Sequence, residues 1–447
     1  MRKEEILEIL ADWNFWAKGL DTGLERRGYV QKLLDLITKT DQIVCILGVR
    51  RAGKSFIIRQ VAKELSKTVG GKNTLIVNFE DERFYERNLS TLRQVYDTYL
   101  EKVHPDREPF VFLDEVQEVE EWERFVRGVH ERKEAKLVVS GSSAKLLSSE
   151  FATLLTGRHV TFSVYPLSFS EFLRFKGMEV ESEVEALTKR VQVKQLLDEY
   201  LEFGGFPEVV ISQEKKRILL SYFETIITRD VAERFKIREK EKLKTLAKYY
   251  LTNISSLTTF NSVSKFLGLP LGTVERFSSY LETAGLVFFI RRFSFSLKEQ
   301  EKAPRKVYSV DVGLSNSVGF RFTTQLGKLM ENVVATSLKV QQSFDPELEL
   351  YYWGNPLYGE VDFVVKRGLR VERLIQVCRD PSDPETRKRE TKSLVKAMDG
   401  FGLKEGLVLT EDFEGEEEID GKKIIYRPLW KWLLCNTTTG LNKFDSG

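Results

Sequence analysis

The run Gln42-Ile43-Val44-Cys45-Ile46-Leu47-Gly48-Val49-Arg50-Arg51-Ala52-Gly53-Lys54-Ser55 sets the fold of the chain's first third. Its first half is apolar and β-branched and predicts a buried parallel strand. Gly48 through Ser55 match the phosphate-binding pattern G-x-x-x-x-G-K-[ST], and Phe56-Ile57-Ile58-Arg59-Gln60-Val61-Ala62 predicts the helix that must follow such a loop. Glycines let the backbone curl until successive N–H groups and the helix N-terminus face a phosphate. The cofactor contacts expected are Gly48, Val49, Arg50, Arg51, Ala52, Gly53, Lys54, Ser55 and Phe56. Lys54 reaches the β and γ oxygens, and the Ser55 hydroxyl takes a place on Mg²⁺.

A second strand, Phe110-Val111-Phe112-Leu113, ends in Asp114 and Glu115, the position from which strands of an α/β sheet deliver side chains to a crevice. Asp114 is expected in the Mg²⁺ shell with Ser55, and Glu115 is expected to polarise the attacking water. A third strand, Ala135 to Val139, runs into Ser140-Gly141-Ser142-Ser143. Ser140 or Ser142 suits a polar sensor of the γ-phosphate; a tight turn with Ser142 or Ser143 capping a helix is the equal alternative. Arg158 is a candidate for stabilising transition-state charge, in its own subunit or across an interface, and is equally readable as a surface arginine.

Composition bounds the rest. At 447 residues more than one domain is expected. No apolar stretch approaches the ~18 residues of a membrane span, and Met1-Arg2-Lys3-Glu4-Glu5 opens no signal peptide, so the expectation is a cytoplasmic protein without a membrane partner. Three scattered cysteines (Cys45, Cys378, Cys435) and three histidines support neither a disulfide framework nor a structural zinc site. The formal net charge of +2 hides an asymmetry: Val231 to Val310 carry 15 Lys plus Arg against 7 Asp plus Glu, a net of +8 that leaves −6 elsewhere. Such a basic section suggests an anionic partner.

That basic section has an order of its own. A helix through Lys242 to Tyr250, a short helix Asn261 to Leu267, a turn at Gly268-Leu269-Pro270 and a helix from Thr273 to Leu281 predict a helix-turn-helix. Gly285 to Phe293 and Lys306 to Val310 can pair as strands around a charged loop, Lys298 to Arg305, completing the outline of a winged helix. On a DNA-binding reading, Arg276 and Ser279 lie near base edges, with Arg291 and Arg292 among the basic residues set against phosphate. A protein-docking module, or a lid on the nucleotide domain, is the competing reading.

Beyond Asp311 a different set of residues appears: Glu331 on a helix from near Gly327, Asp362 on the strand Glu360 to Val365, and Gln376 on the strand Leu374 to Cys378. Acidic groups on adjacent elements are what a Mg²⁺-dependent phosphodiesterase uses to hold its metal, but such a site also needs a lysine.

Taken together, Gly48 to Ser55, Phe112 to Gln117, Ser140 to Ser143, Leu155 to Arg158, Tyr165-Pro166-Leu167-Ser168-Phe169, Gly204-Gly205-Phe206-Pro207-Glu208, Arg229-Asp230 and Gly359-Glu360-Val361-Asp362-Phe363 give a near full-length resemblance. The chain resembles the prokaryotic, mainly archaeal AAA-type P-loop ATPases that carry a C-terminal domain of unknown function (DUF4143-type) and a restriction-endonuclease-like module. The resemblance implies an α/β fold: an AAA+-like parallel sheet with a helical lid, then a winged helix, then a nuclease-like α/β domain. Endonucleases of that last fold place [Asp or Glu]-x-Lys on the strand after the metal-binding Asp, where this chain has Gln376-Val377-Cys378. Lys388 or Lys392 is a possible substitute, and a degenerate module is the favoured expectation.

The organisation expected is therefore N-terminal helices (1–35), a P-loop core (36–170), a helical lid (171–235), a winged helix (236–315) and a degenerate nuclease-like domain (316–447). Trp13, Phe15 and Trp16 are expected to be packing, and Leu20 to Gln31 to approach the nucleotide. Gly204 to Pro207 reads as a rigid turn, Arg229-Asp230 as a phosphate sensor or an ion pair, and the Glu-rich run Glu411 to Asp420 as a solvated hairpin loop. The leading expectation is an ATP hydrolase, with ADP as product and Mg²⁺ as cofactor, whose nucleotide state is coupled to DNA. An ATP-dependent switch that binds a protein partner and an ATP-dependent nuclease are the alternatives, and either a monomer or an AAA+-type oligomer fits.

Overall fold

The computed structural model describes residues 1–141, 155–320 and 325–435. They fall into two compact units, Met1–Val164 and Tyr165–Gly447. Among the described residues no helix is long and apolar enough to cross a membrane.

The first unit is built on five parallel strands, β1 (Ile43–Gly48), β2 (Thr74–Asn78), β3 (Phe110–Asp114), β4 (Lys136–Ser140) and β5 (His159–Val164), in the order β2-β3-β4-β1-β5. The apolar runs noted in the sequence form β1, β3 and β4, and β1 is buried along its whole length, as a strand covered on both faces must be. Because β4 lies between β1 and β3, the phosphate loop after β1 and the acids after β3 flank the end of β4, where Ser140 sits. The edge strand β2 is shielded by Asn14, which is fully buried, accepts from Ile76 N–H at 2.7 Å and donates to Ile76 C=O at 2.8 Å. Of the N-terminal aromatics, Trp13 and Trp16 pack against the core of this unit.

The second unit holds one sheet of nine strands: β6 (Ser256–Thr258), β7 (Val287–Arg292), β8 (Arg305–Ser309), β9 (Leu348–Asn355), β10 (Gly359–Arg367), β11 (Arg370–Val377), β12 (Glu405–Thr410), β13 (Gly415–Ile419) and β14 (Lys422–Pro428). Their order is β13-β14-β12-β11-β10-β9-β7-β8-β6. The two halves join where β7 runs parallel to β9, through Arg291 opposite Tyr351 and Arg292 opposite Tyr352. The sheet thus takes strands from both sides of the expected boundary at 315/316. The helices expected as a lid over the nucleotide sheet also belong here. Phe169, Phe172, Leu197 and Leu201 share a core with Val333, Leu338 and Trp430.

Three further expectations meet the structure in this unit. Gly204 to Pro207 does form a tight joint, and its partner is Asp311, which accepts from Gly205 N–H at 2.7 Å and Gly313 N–H at 2.9 Å. A Cβ on Gly205 would lie 2.3 Å from the Leu167 carbonyl oxygen, so only glycine fits. The Glu-rich run is not a loop throughout: Gly415–Ile419 is the edge strand β13, where charge discourages pairing with another chain. Arg229 and Asp230 lie on a π-helical stretch, Ile226–Glu233, that turns Arg229 to solvent and buries Asp230, whose charge acts on Arg234.

Candidate functional site

The loop after β1 is shaped by two glycines. Gly48 has φ +152°, and a Cβ there would come within 2.3 Å of the Val164 carbonyl oxygen on β5. Gly53 is left-handed at φ 96° and starts the helix Lys54–Val69. Lys54 is buried, and its Nζ donates to the Gly48 and Val49 carbonyls at 3.1 and 3.3 Å, inside the curl of the loop. Arg50 pairs with Glu80 at 3.2 Å.

Below the loop the expected residues converge. Ser55 hydrogen-bonds Asp114. Ser140 donates to Asp114 Oδ1 and accepts from the Glu115 N–H at 3.3 Å, with its side chain fully buried. Burial, then the adjacent Glu115, pushes the Asp114 carboxyl above its usual value; hydrogen bonds from Ser140 and Ser55 and the charge of Lys54 pull the other way. Glu115 adopts a left-handed backbone, φ 51°, uncommon for a residue with a side chain, and its carboxylate is held by Gln117 Nε2 at 2.5 Å. Ser142 and Ser143 lie outside the described residues.

Two groups were not legible in the pattern. Arg26, 2 % exposed, donates through Nη1 to the Ala52 carbonyl of the loop at 3.0 Å. Gln60 Nε2 ties down the Thr22 and Leu24 carbonyls at 2.7 and 2.9 Å, so the segment before Arg26 is fastened to the helix that follows the loop. Phe56 is 42 % exposed beside Gly23. Arg26 lies in the segment Leu20 to Gln31 expected near the nucleotide, but no motif marks it or Gln60, whose contacts join residues distant in sequence.

Arg158 is not brought to this site within the chain. It precedes β5, at the end of the sheet opposite the loop: His159 is paired with Ile43, and Gly48 is five residues further along β1, about 17 Å at the rise of a strand. Arg158 pairs there with Glu131 at 3.2 Å.

In the second unit Arg276 and Ser279 lie exposed on the helix Leu271–Thr283. Arg291 and Arg292 do not stand on a free wing. Arg291 is bonded to Glu301, which also holds Arg305 at 3.1 Å, and the backbone of both arginines is paired with β9. The expected charged loop contains a short helix, Leu297–Lys302.

Glu331, Asp362 and Gln376 do come together, all buried. Gln376 Oε1 accepts from Asp362 N–H at 3.0 Å, and its Nε2 donates to Glu390 at 2.6 Å. The lysine missing from the Gln376-Val377-Cys378 strand is present from elsewhere: Lys306 of β8 places Nζ 2.7 Å from Asp362 Oδ1 and 3.1 Å from Glu331 Oε1. Lys388 and Lys392 are exposed on the helix Pro384–Phe401, and Lys392 stacks over Tyr358 at 5.6 Å. Among the described residues no group of three or more His, Cys, Asp or Glu is arranged to hold a metal.

These sites can be set beside known proteins. Residues 40–173 match an AAA domain, and residues 194–326 match a domain of unknown function (DUF8612). An uncharacterized protein of Methanocaldococcus jannaschii, MJ1544, is 31 % identical over 411 residues, covering 88 % of each chain. An uncharacterized protein of Haemophilus influenzae is 29 % identical over 421 residues, covering 92 % of this chain and 98 % of its own. Among solved structures, the Walker-type ATPase paby2304 of Pyrococcus abyssi is 14 % identical, with 66 % of this chain and 96 % of that one covered and a TM-score of 0.43, too remote to bear on function. Residues 40–173 thus match an AAA domain and carry a phosphate loop that opens the helix Lys54–Val69. The chain belongs to the family that includes the M. jannaschii protein.

Proposed function

We propose that the chain hydrolyses ATP to ADP with Mg²⁺ and couples its nucleotide state to DNA. The observation that carries the hydrolytic half is the connected set Ser55, Asp114, Ser140 and Glu115 beneath the loop. Ser55 and Asp114 are hydrogen-bonded to each other, so they are the residues that would hold Mg²⁺. Mg²⁺ there would neutralise charge on the β and γ oxygens. Lys54 exchanges its loop carbonyls for those oxygens, and the backbone N–H groups from Arg50 to Ser55 receive the phosphates. Glu115, fixed by its own backbone and by Gln117, orients the attacking water, while Ser140 keeps Asp114 and Glu115 in register.

For the second unit we read helix Lys240–Thr252, β6, helices Phe260–Leu267 and Leu271–Thr283, β7 and β8, with β8 between β6 and β7, as a winged helix. The net charge of +8 over Val231 to Val310 and the outward Arg276 and Ser279 support a DNA partner. A protein partner is the second reading, favoured by the engagement of Arg291 with Glu301 and by Phe266, 71 % exposed next to Tyr249.

The test is ATP turnover by wild type and Glu115→Gln, with and without duplex DNA at low and moderate salt. Turnover that DNA stimulates in a salt-sensitive way, and that Glu115→Gln abolishes, is the expected result. Turnover indifferent to DNA at both salts favours the protein partner, and full activity in Glu115→Gln refutes the assigned chemistry.

A further inference from the structure

The Lys306 ammonium lies at the centre of the acidic group in the second unit. The side chain is 1 % exposed. Nζ stands 2.7 Å from Asp362 Oδ1 and 3.0 Å from Glu360 Oε1, both on β10, and 3.1 Å from Glu331 Oε1 on the helix Leu326–Phe344. The ammonium donates to Asp362 and Glu331 and forms an ion pair with Glu360. Two neutral donors reach the same carboxylates: Tyr308 donates its hydroxyl to Glu331 Oε1 at 2.7 Å, and Val377 N–H donates to Asp362 Oδ2 at 2.8 Å.

We propose that Lys306 is the built-in cation of this centre, standing where a divalent ion would bridge Glu331 and Asp362 and keeping the centre closed to metal. A divalent ion binds carboxylate oxygens at about 2.0–2.6 Å, inside the volume the ammonium fills, and two cations that close in a buried site repel. The amide of Gln376 is turned away from the role of ligand, since its oxygen accepts from Asp362 N–H. Burial alone would lower Lys306, but Asp362, Glu331 and Glu360 outweigh it and hold the lysine well above its ordinary value, so the charge persists. Removing the ammonium leaves three carboxylates facing one another with only neutral donors. A divalent cation is the species that would then satisfy them.

Mn²⁺ binding to the nucleotide-free full chain, read by electron paramagnetic resonance, tests this directly. Wild type and Asp362→Asn are expected to bind equal amounts. Lys306→Ala is expected to bind one Mn²⁺ per chain more, and Lys306→Ala/Asp362→Asn to lose it again. Lys306→Ser, which also vacates the volume of the ammonium, repeats the measurement if the alanine variant does not fold. The inference is overturned if either folded variant gains no Mn²⁺ over wild type, or if Asp362→Asn removes Mn²⁺ from wild type, which would make the centre a metal site with the lysine beside it. Nucleotide is absent and Ser55 and Asp114 are unaltered in every sample, so failure here is distinct from failure of the ATPase reading.

Discussion

Asp311 should make the second unit less stable as pH rises, and Asp311→Asn should remove that dependence. The carboxyl is buried, and burial drives it from 3.8 to about 6 although Gly205, Gly313 and Leu314 N–H groups all donate to it. With its folded value above its unfolded one, the folded state binds the proton more tightly between the two. Stability from this group is therefore full below about pH 4 and lost as pH climbs through about 6. Ionising a carboxyl displaced from 3.8 to about 6 costs about 3 kcal/mol, a large share of a domain's net stability. Urea unfolding followed by hydrogen exchange on peptides spanning 200–210 and 305–318 reads the unit containing the joint. Other carboxyls titrate alike in both proteins, so the wild-type minus Asp311→Asn difference isolates this one. The difference should move against wild type by about 2.4 kcal/mol from pH 4 to 7. A difference constant with pH, or one moving in favour of wild type, would show that the three N–H donors outweigh burial and refute the reasoning.

Three other outcomes follow from contacts described above. Gly205→Ala, whose new Cβ would meet the Leu167 carbonyl oxygen at 2.3 Å, should cost about 2 kcal/mol in the same unfolding experiment. Ser140→Ala removes the hydroxyl that holds Asp114 and the Glu115 N–H; ATP turnover should fall about tenfold while nucleotide binding, measured by calorimetry, is retained. MgATP at a hundred times its Kd should raise the stability of the Met1–Val164 unit by about 2.7 kcal/mol, seen as slower exchange across β1 and β3, with Lys54→Ala abolishing the gain.

The sequence revealed whatever depends on neighbours along the chain. Gly48 to Ser55 and Asp114-Glu115 announce themselves because phosphate binding needs glycines and a lysine at fixed spacing, and because β1 and β3 are uniformly apolar. What depends on pairing across the fold was hidden. Asp311 answers the Gly204-Gly205 turn from 106 residues away, and Lys306 meets Asp362 from 56 residues before it. The lysine was sought on β11 and on the following helix, where local spacing could put it, and it comes from β8. Arg158 lay close in sequence to the expected catalytic segment, but strand direction carries it to the far end of the sheet. Arg291 and Arg292 looked basic and free because their partners, Glu301 and β9, are visible only once the strands are paired.

The two buried acid groups differ in where their positive charge comes from, and that difference separates a responsive site from a closed one. Asp114 is hydrogen-bonded by the neutral Ser55 and Ser140 hydroxyls and Glu115 by the neutral Gln117 amide, while Lys54 spends its nearest contacts on the Gly48 and Val49 carbonyls. Burial and the neighbouring Glu115 raise the Asp114 carboxyl, and on the proposed reading a cation there would offset that cost. Around Lys306 the offset comes from the chain itself: a charged group on β8 answers charges on β10 and the helix Leu326–Phe344, and fixes those three elements to one another. Breaking such a network exposes buried carboxylates at about 3–5 kcal/mol. On the readings proposed above, the Lys306 centre is held together by the chain's own charges, while the one beneath the phosphate loop has its acids answered by neutral groups.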